Sequence, residues 1–479
     1  MSYRHAPLLW SALSVGCIEA DKSGLQQQQE AEVDCSKLDQ KQREAEPKCQ
    51  TLASATSGSR LVRRIVFTDS IGIDDPGESR GEGPIPFDFL PDGAGVAVAN
   101  PVGDTVGVWD RDALAPGGDE HVSPGLLLTE GGVALGSAVR STTDSTGQNV
   151  VVLGAPVGGV VLVVPADEAG SYGAFEAASA EIATGMGAFG TAVAWGDFDG
   201  DGHDDLATTA PEDGTDGAVW VMAGPFNGLV NATADGVRIG GTADLRPDGA
   251  LESAGDLDGD GADELLVGFP DAGALAVLHG AGAWTTGAAD FDSADAQVAG
   301  DGDFGRAVAV WSDQNDDGVA DLVVGAPGDS SRESGGGTVW LLDGGSVLEG
   351  GSLSAQDTVL ARVFGEATDA ALGTALAAGG DSDGDGTAEL IVGAPGAADL
   401  DDVETGAVYT VETFDVAGDV EHESWVGIRG HGVSGRADGS QLGTRVRGGV
   451  DIDGDGLFEV GAIARGESAL EVIYGGALD

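Results

Sequence analysis

From about residue 60 onward the hydrophobic positions come in short runs closed by glycine or proline, with no helical periodicity over a useful length. Leu322-Val-Val and Leu390-Ile-Val represent one kind. A second kind opens with glycine and recurs as Gly217-Ala-Val-Trp-Val, Gly337-Thr-Val-Trp-Leu-Leu and Gly406-Ala-Val-Tyr-Thr-Val. Runs of this length between turn residues read as β-strands. The chain is therefore expected to be all-β.

The polar stretch ahead of the first kind of run has its own pattern. In residues 381–389, Asp381, Asp383 and Asp385 alternate, Gly384 and Gly386 follow two of them, and Glu389 closes the set. Alternation puts these side chains on one side of a tight loop, and the glycines let it fold back on itself. The carboxylates then converge, with the backbone carbonyl of Thr387 facing the same way. At an effective dielectric of about 20, two such charges ~5 Å apart repel by about 3 kcal/mol, so the empty loop opens or captures a cation. Hard oxygen ligands in this number suit calcium, whereas magnesium keeps more waters and a stricter octahedron. A single stretch of this kind is equally well a solvated acidic turn. Repetition is what favours the metal.

Five copies occur. They are Asp197, Asp199, Asp201, His203 and Asp205; Asp256, Asp258, Asp260, Ala262 and Glu264; and Asp313, Asn315, Asp317, Val319 and Asp321. The set above is the fourth, and Asp451, Asp453, Asp455, Leu457 and Glu459 are the fifth. Positions 1, 3, 5 and 9 offer side-chain oxygens, position 7 its backbone carbonyl, and position 6 is glycine. An EF-hand would close with Glu at position 12 and carry flanking helices. Here the ninth residue closes the loop and a strand follows, so each loop is the turn of a β-hairpin.

Each run then ends alike, as Gly154-Ala-Pro, Thr209-Ala-Pro, Gly268-Phe-Pro, Gly325-Ala-Pro and Gly393-Ala-Pro, with Asn100-Pro and Gly461-Ala-Ile in the outermost slots. Ahead of the loops stand Phe189-Gly190 and Phe304-Gly305, with Leu135-Gly136, Leu372-Gly373 and Leu442-Gly443 as variants and Asp248-Gly249 in the fourth unit. The slots recur about every 55 to 70 residues, enough for a four-stranded sheet each.

The combination resembles the FG-GAP repeat of the integrin α-subunit β-propeller and of related bacterial surface proteins, over roughly residues 60 to 479. The resemblance implies a seven-bladed β-propeller of four-stranded antiparallel blades over residues 61–479. It also implies about five structural Ca2+ ions held in the later blades. The second unit has Thr142, Asp144, Thr146 and Val150 at the ligand positions, and the first has scattered acids between Phe87 and Gly95, so both are expected to hold no metal. A ring must close or leave two raw edges. The last unit lacks an outer strand, and residues 61–67 are an unassigned strand-like run, so that run is expected to complete the seventh blade.

The N-terminal segment reads differently. Residues 1–17 resemble an export signal: Arg4, an apolar Ala6 to Val15, then Ser14-Val-Gly-Cys17 as in a bacterial lipoprotein cleavage site. Lipidation of Cys17 would anchor the protein at the outer membrane or cell surface; the alternative is plain secretion. Residues 18–60 are rich in Gln, Glu and Lys and read as a disordered tether. In an exported setting Cys35 and Cys49 are candidates for a local disulfide, with free thiols as the alternative.

The net charge is −59 and every Lys lies in the first fifty residues, which excludes nucleic acid as a partner. Five divalent ions would offset only about ten of these charges. No nucleophile elbow, His-Glu-x-x-His or phosphate loop is present. The expected function is thus a calcium-stabilised extracellular binding or adhesion module, not an enzyme, with a protein or glycan ligand on a propeller face. The segments after the GAP slots, Glu212 to Asp216, Asp329 to Gly337 and Ala397 to Thr405, turn at the face expected to bind, with Asp329 to Glu333 and Asp399 to Asp402 as the candidate contact loops. The alternatives are a structural cell-envelope protein and a polysaccharide- or lipid-acting enzyme, which a convergence of Arg429, Arg436 and Arg445 would favour.

Overall fold

The computed structural model describes residues 62–66, 85–115, 123–184, 188–242, 245–280, 289–365, 367–399, 403–413, 421–422 and 429–475. The signal, the tether, Cys17, Cys35 and Cys49 lie outside these residues. The strands form seven sheets, one per repeat unit, arranged as the blades of a β-propeller. Blade 3 shows the plan: Val193–Gly196 innermost, then Asp205–Ala210, Ala218–Met222 and Val237–Gly240, each antiparallel to the last.

The seventh blade joins the two ends of the described chain. Its inner strands are Leu442–Val450, Glu459–Ala464 and Ala469–Ile473, and its outer strand is Val62–Val66, paired from Val62 with Ile473 to Val66 with Ala469. Closure by the early run is as the sequence anticipates. A further element is not anticipated. In five sheets a short parallel strand, contributed by the following blade, adds to the outer edge, as Gly170–Gly173 does to Leu126–Thr129. These additions hook each blade onto its neighbour and cover its edge.

The apolar core lies between the blades. Seven clusters of buried side chains each draw on two adjacent blades; the one containing Ala309, Val323 and Leu341 of blade 5 also holds Leu376, Leu390 and Val392 of blade 6. The cluster built from Phe87, Phe89 and Val98 with Ile463, Leu470 and Val472 spans the seam between the first and last blades. No blade buries both faces alone, so the ring is the folding unit.

The two sequence signatures meet at these interfaces. The first glycine of a GAP slot lies against the glycine of the next blade's FG slot: an added Cβ on Gly154 would be 2.0 Å from the carbonyl oxygen of Gly190, and on Gly268 1.9 Å from that of Gly305. Gly305 itself takes φ +91°, open to glycine at little cost. Between blades 3 and 4, Thr209 replaces the GAP glycine, while the FG slot keeps its glycine as Gly249 with Asp248 in place of the phenylalanine.

Candidate metal centres

Each acidic loop joins the innermost strand of a blade to its second strand, so all five turn at the same face of the propeller. The closing carboxylate at position 9 sits at or beside the first residue of the second strand and is buried: Asp205, Glu264, Asp321, Glu389 and Glu459 are each at most 2% exposed. One oxygen of each accepts the N–H of position 2. Phe198 donates to Asp205 at 3.0 Å, Leu257 to Glu264 at 2.7 Å, Gln314 to Asp321 at 2.8 Å and Ser382 to Glu389 at 2.6 Å, while Ile452 donates to Glu459. The loop is thereby pinned to the strand that follows it.

The first acid organises the turn. Its Oδ2 accepts the N–H of the position-6 glycine in all five loops, from 2.7 Å for Gly318 on Asp313 to 3.1 Å for Gly261 on Asp256. The position-3 side chain accepts the N–H of position 5, and the position-5 carboxylate accepts the N–H of position 7. His203, Ala262, Val319, Thr387 and Leu457 therefore take part through their backbones. This repeated scaffold is a series of Asx-type turns, and it leaves the remaining carboxylate oxygens facing one another.

Convergence is fullest in the last two loops. One oxygen from each of Asp381, Asp383, Asp385 and Glu389 lies within 4.8 Å of the others, and the same holds for Asp451, Asp453, Asp455 and Glu459. Asp197, Asp199 and Asp205 converge without Asp201, and Asp256, Asp258 and Asp260 converge without Glu264. In the remaining loop Asn315 donates its amide to Asp317 at 3.2 Å, and Asp313, Asp317 and Asp321 form no such group among the described residues.

These donor sets fit a hard divalent cation. They consist of oxygen alone, and Oε1 of Glu389 is buried with no hydrogen-bond donor, which is costly unless a cation faces it. Burial pushes Asp205 and Glu459 up to about 7 and Asp321 up to about 6. Strand-side N–H donors such as Gly224 and Gly344 oppose the shift, and facing acids such as Asp199 and Asp453 add to it. Glu264 and Glu389 are raised for the same leading reason.

In the second blade Asp144 spends its carboxylate on Thr146 and Gln148, with 2.8 Å from the Thr146 N–H and 3.0 Å from the Gln148 N–H. That turn is held by its own residues. In the first blade the corresponding connection is a short 3-10 turn, Pro91–Gly93.

In the segments after the GAP slots, Asp213 and Asp329 are buried, whereas Glu212 and Ser330 to Ser334 are exposed. Asp213 accepts from Trp220 Nε1 at 2.9 Å and Arg238 Nε at 2.8 Å; Asp329 accepts from the Ser331 N–H and Thr338 Oγ1, both at 2.7 Å. They brace their loops from within. Asp399 is described, whereas the rest of its segment to Asp402 is not. Finally, Arg436 and Arg445 part company: Arg436 pairs with Glu471 at 3.2 Å, while Arg445 lines the central channel. The Arg429 side chain lies outside the described residues.

Residues 189–222, 304–342 and 372–411 match the FG-GAP repeat family. The propeller thus carries FG-GAP repeats. Integrin alpha pat-2 of Caenorhabditis briggsae is 30% identical over 229 residues, covering 43% of this chain and 18% of that protein. Integrin alpha-PS2 of Drosophila melanogaster is 31% identical over 230 residues, covering 43% of this chain and 15% of that protein. This chain thus covers less than a fifth of the length of each of these relatives. Among solved structures, a chain of Kuenenia stuttgartiensis hydrazine synthase aligns at 14% identity with a TM-score of 0.47, covering 85% of this chain and 99% of that one. No helix among the described residues is long and apolar enough to cross a membrane.

Proposed function

We propose that this FG-GAP propeller is an exported binding or adhesion module, stabilised by Ca2+ in its hairpin loops and held to the cell surface through the lipidated N-terminal tether. The observation that carries the metal reading is the buried ninth-position carboxylate, repeated in five blades on one hydrogen-bond scaffold and left in Glu389 with an orphaned oxygen. When bound, calcium supplies positive charge that cancels repulsion between the converging acids. The chain's own residues do the rest: position 9 ties the loop to its strand, and positions 1, 3 and 5 pre-orient their oxygens before an ion arrives. Similarity to integrin alpha chains supports binding rather than catalysis, with a protein or glycan ligand taken by a propeller face.

The test is a thermal melt of the full-length chain with calcium, with magnesium and after chelation, alongside a count of bound calcium. A calcium-selective rise in Tm with several ions per chain is expected. No shift and no bound calcium would reduce the loops to acidic turns.

A further inference from the structure

The innermost strands of all seven blades surround an axial channel. Its chamber on the face opposite the acidic loops has a volume of about 450 Å3, and a second chamber nearer those loops about 290 Å3. The first is of small-ligand size. Its lining runs against the composition of the molecule. Residues 85 to 475 contain twelve arginines and no lysine, and five of the twelve line this one chamber: Arg140, Arg306, Arg445, Arg447 and Arg465. Only two carboxylates, Asp248 and Glu252, share it.

The pairing is incomplete. Arg140 binds Glu252, and Arg447 Nε lies 3.3 Å from Asp88 Oδ1 at the level where the two chambers meet. Arg445, two residues before Arg447 on the same strand and so about 7 Å nearer the mouth, has no hydrogen bond or ion pair to any described residue. Burial, then the like charges of Arg447 and Arg140, push its guanidinium down to about 10, so it remains charged at neutral pH. A guanidinium held among like charges is unfavourable, and the one carboxylate that offsets it, Glu252, is already paired with Arg140.

We propose that this chamber is a binding site for a small multivalent oxyanion of the carboxylate or sulfate class, gripped by Arg445 together with Arg140 and Arg447. Arg306 and Arg465 stand nearer the mouth, where the inner strand of blade 5 begins and the second strand of blade 7 ends. Planar guanidinium forks match the oxygen pairs of carboxylate and sulfate. The acidic exterior and the confined volume select against a polymer such as a nucleic acid.

The experiment uses the calcium-saturated full chain in chloride buffer at constant ionic strength, titrated calorimetrically with tricarballylate and with inorganic sulfate. Acetate serves as the monovalent control, and bound calcium is counted on the same sample. One saturable site per chain is expected for at least one divalent or trivalent probe, with a higher Tm and little response to acetate. Binding by one probe alone assigns the class. Arg445→Gln should weaken binding by at least about tenfold, keep its bound calcium, and melt no lower than wild type in anion-free buffer because it removes like-charge repulsion. Arg306→Gln is the second variant should Arg445→Gln fail to fold, and Arg332→Gln, away from the channel, should bind as wild type does. The proposal is overturned if wild type shows no saturable binding up to about 10 mM of either probe. It is equally overturned if binding persists unchanged when the channel arginines are replaced. Because calcium is counted independently, loss of the anion site is distinguishable from failure of the metal reading.

Discussion

The α-carbon of Gly325 in blade 5 faces the backbone of Gly373 in blade 6 so closely that a Cβ on Gly325 would stand 2.0 Å from the Gly373 carbonyl oxygen. The same facing pair recurs as Gly393 and Gly443, at 2.1 Å. FG and GAP, which look like separate motifs in the sequence, are the two halves of one blade-to-blade contact.

Gly325→Ala should therefore push two blades apart, since the obstructing atom is backbone. The expected loss is about 3 kcal/mol, at the upper end of overpacking effects, read as a lower chemical-denaturation midpoint. Gly131→Ala, with open space around its Cβ, is the control and should be near neutral.

Calcium stoichiometry should respond loop by loop. Glu389→Gln removes a buried charge from the fourth loop and should lower the count by one ion and shrink the calcium-dependent rise in Tm. Asn315→Asp should strengthen binding at the third loop, where the present amide donates to Asp317 rather than adding a carboxylate. Both are checked by calcium titration with the ion count measured directly.

The metal-free protein should lose stability as pH rises from about 4 to 7. Asp205 and Glu459 are pushed up to about 7 and Asp321 to about 6 in the fold, above their ordinary carboxylate values. Between the two values the folded state holds more protons than the unfolded chain, so stability is greatest at the acid end of that window and is lost through it. Thermal melts in chelator should give a higher Tm at pH 5 than at pH 7.5, and saturating calcium should reduce or reverse the difference.

Deleting residues 62–66 leaves the outer edge of Ala469–Ile473 unpaired. The variant should melt lower and be cut faster by protease near the seam between the first and last blades, with limited proteolysis followed by mass spectrometry as the measurement.

The acidic loops could be read from the sequence because converging ligands demand fixed spacing. Asp381, Asp383, Asp385 and Glu389 announce themselves in any window long enough to hold them. Closure by residues 62–66 was legible for another reason: an apolar run with no blade of its own met a blade lacking a strand. Other features leave little trace. Asp213 and Asp329 look like exposed turn acids, and only the Trp220, Arg238 and Thr338 donors around them show that they face inward. The channel arginines come from three blades, 2, 5 and 7, and Arg140 or Arg306 alone reads as a solvated surface residue. The alternation of Arg445 and Arg447 after Leu442-Gly443 was the available signal, since it puts both side chains on one face of an innermost strand. Parallel hooks such as Gly170–Gly173 are too short to carry a pattern.

The seam of the ring also sets an order of events. Val62 meets Ile473, so the first described strand waits for nearly the last before it has a partner. Contacts so distant in the chain are slow to form, because the loop between their ends must be closed first. The intermediate blades can assemble on one another from either direction, yet the disc stays an open arc until synthesis and delivery of the whole chain are finished. An arc exposes two unpaired sheet edges, and another arc could pair with them. Locking is therefore expected to be a late, all-or-none step, and the concentration of half-finished chains decides whether it occurs within one molecule or between two.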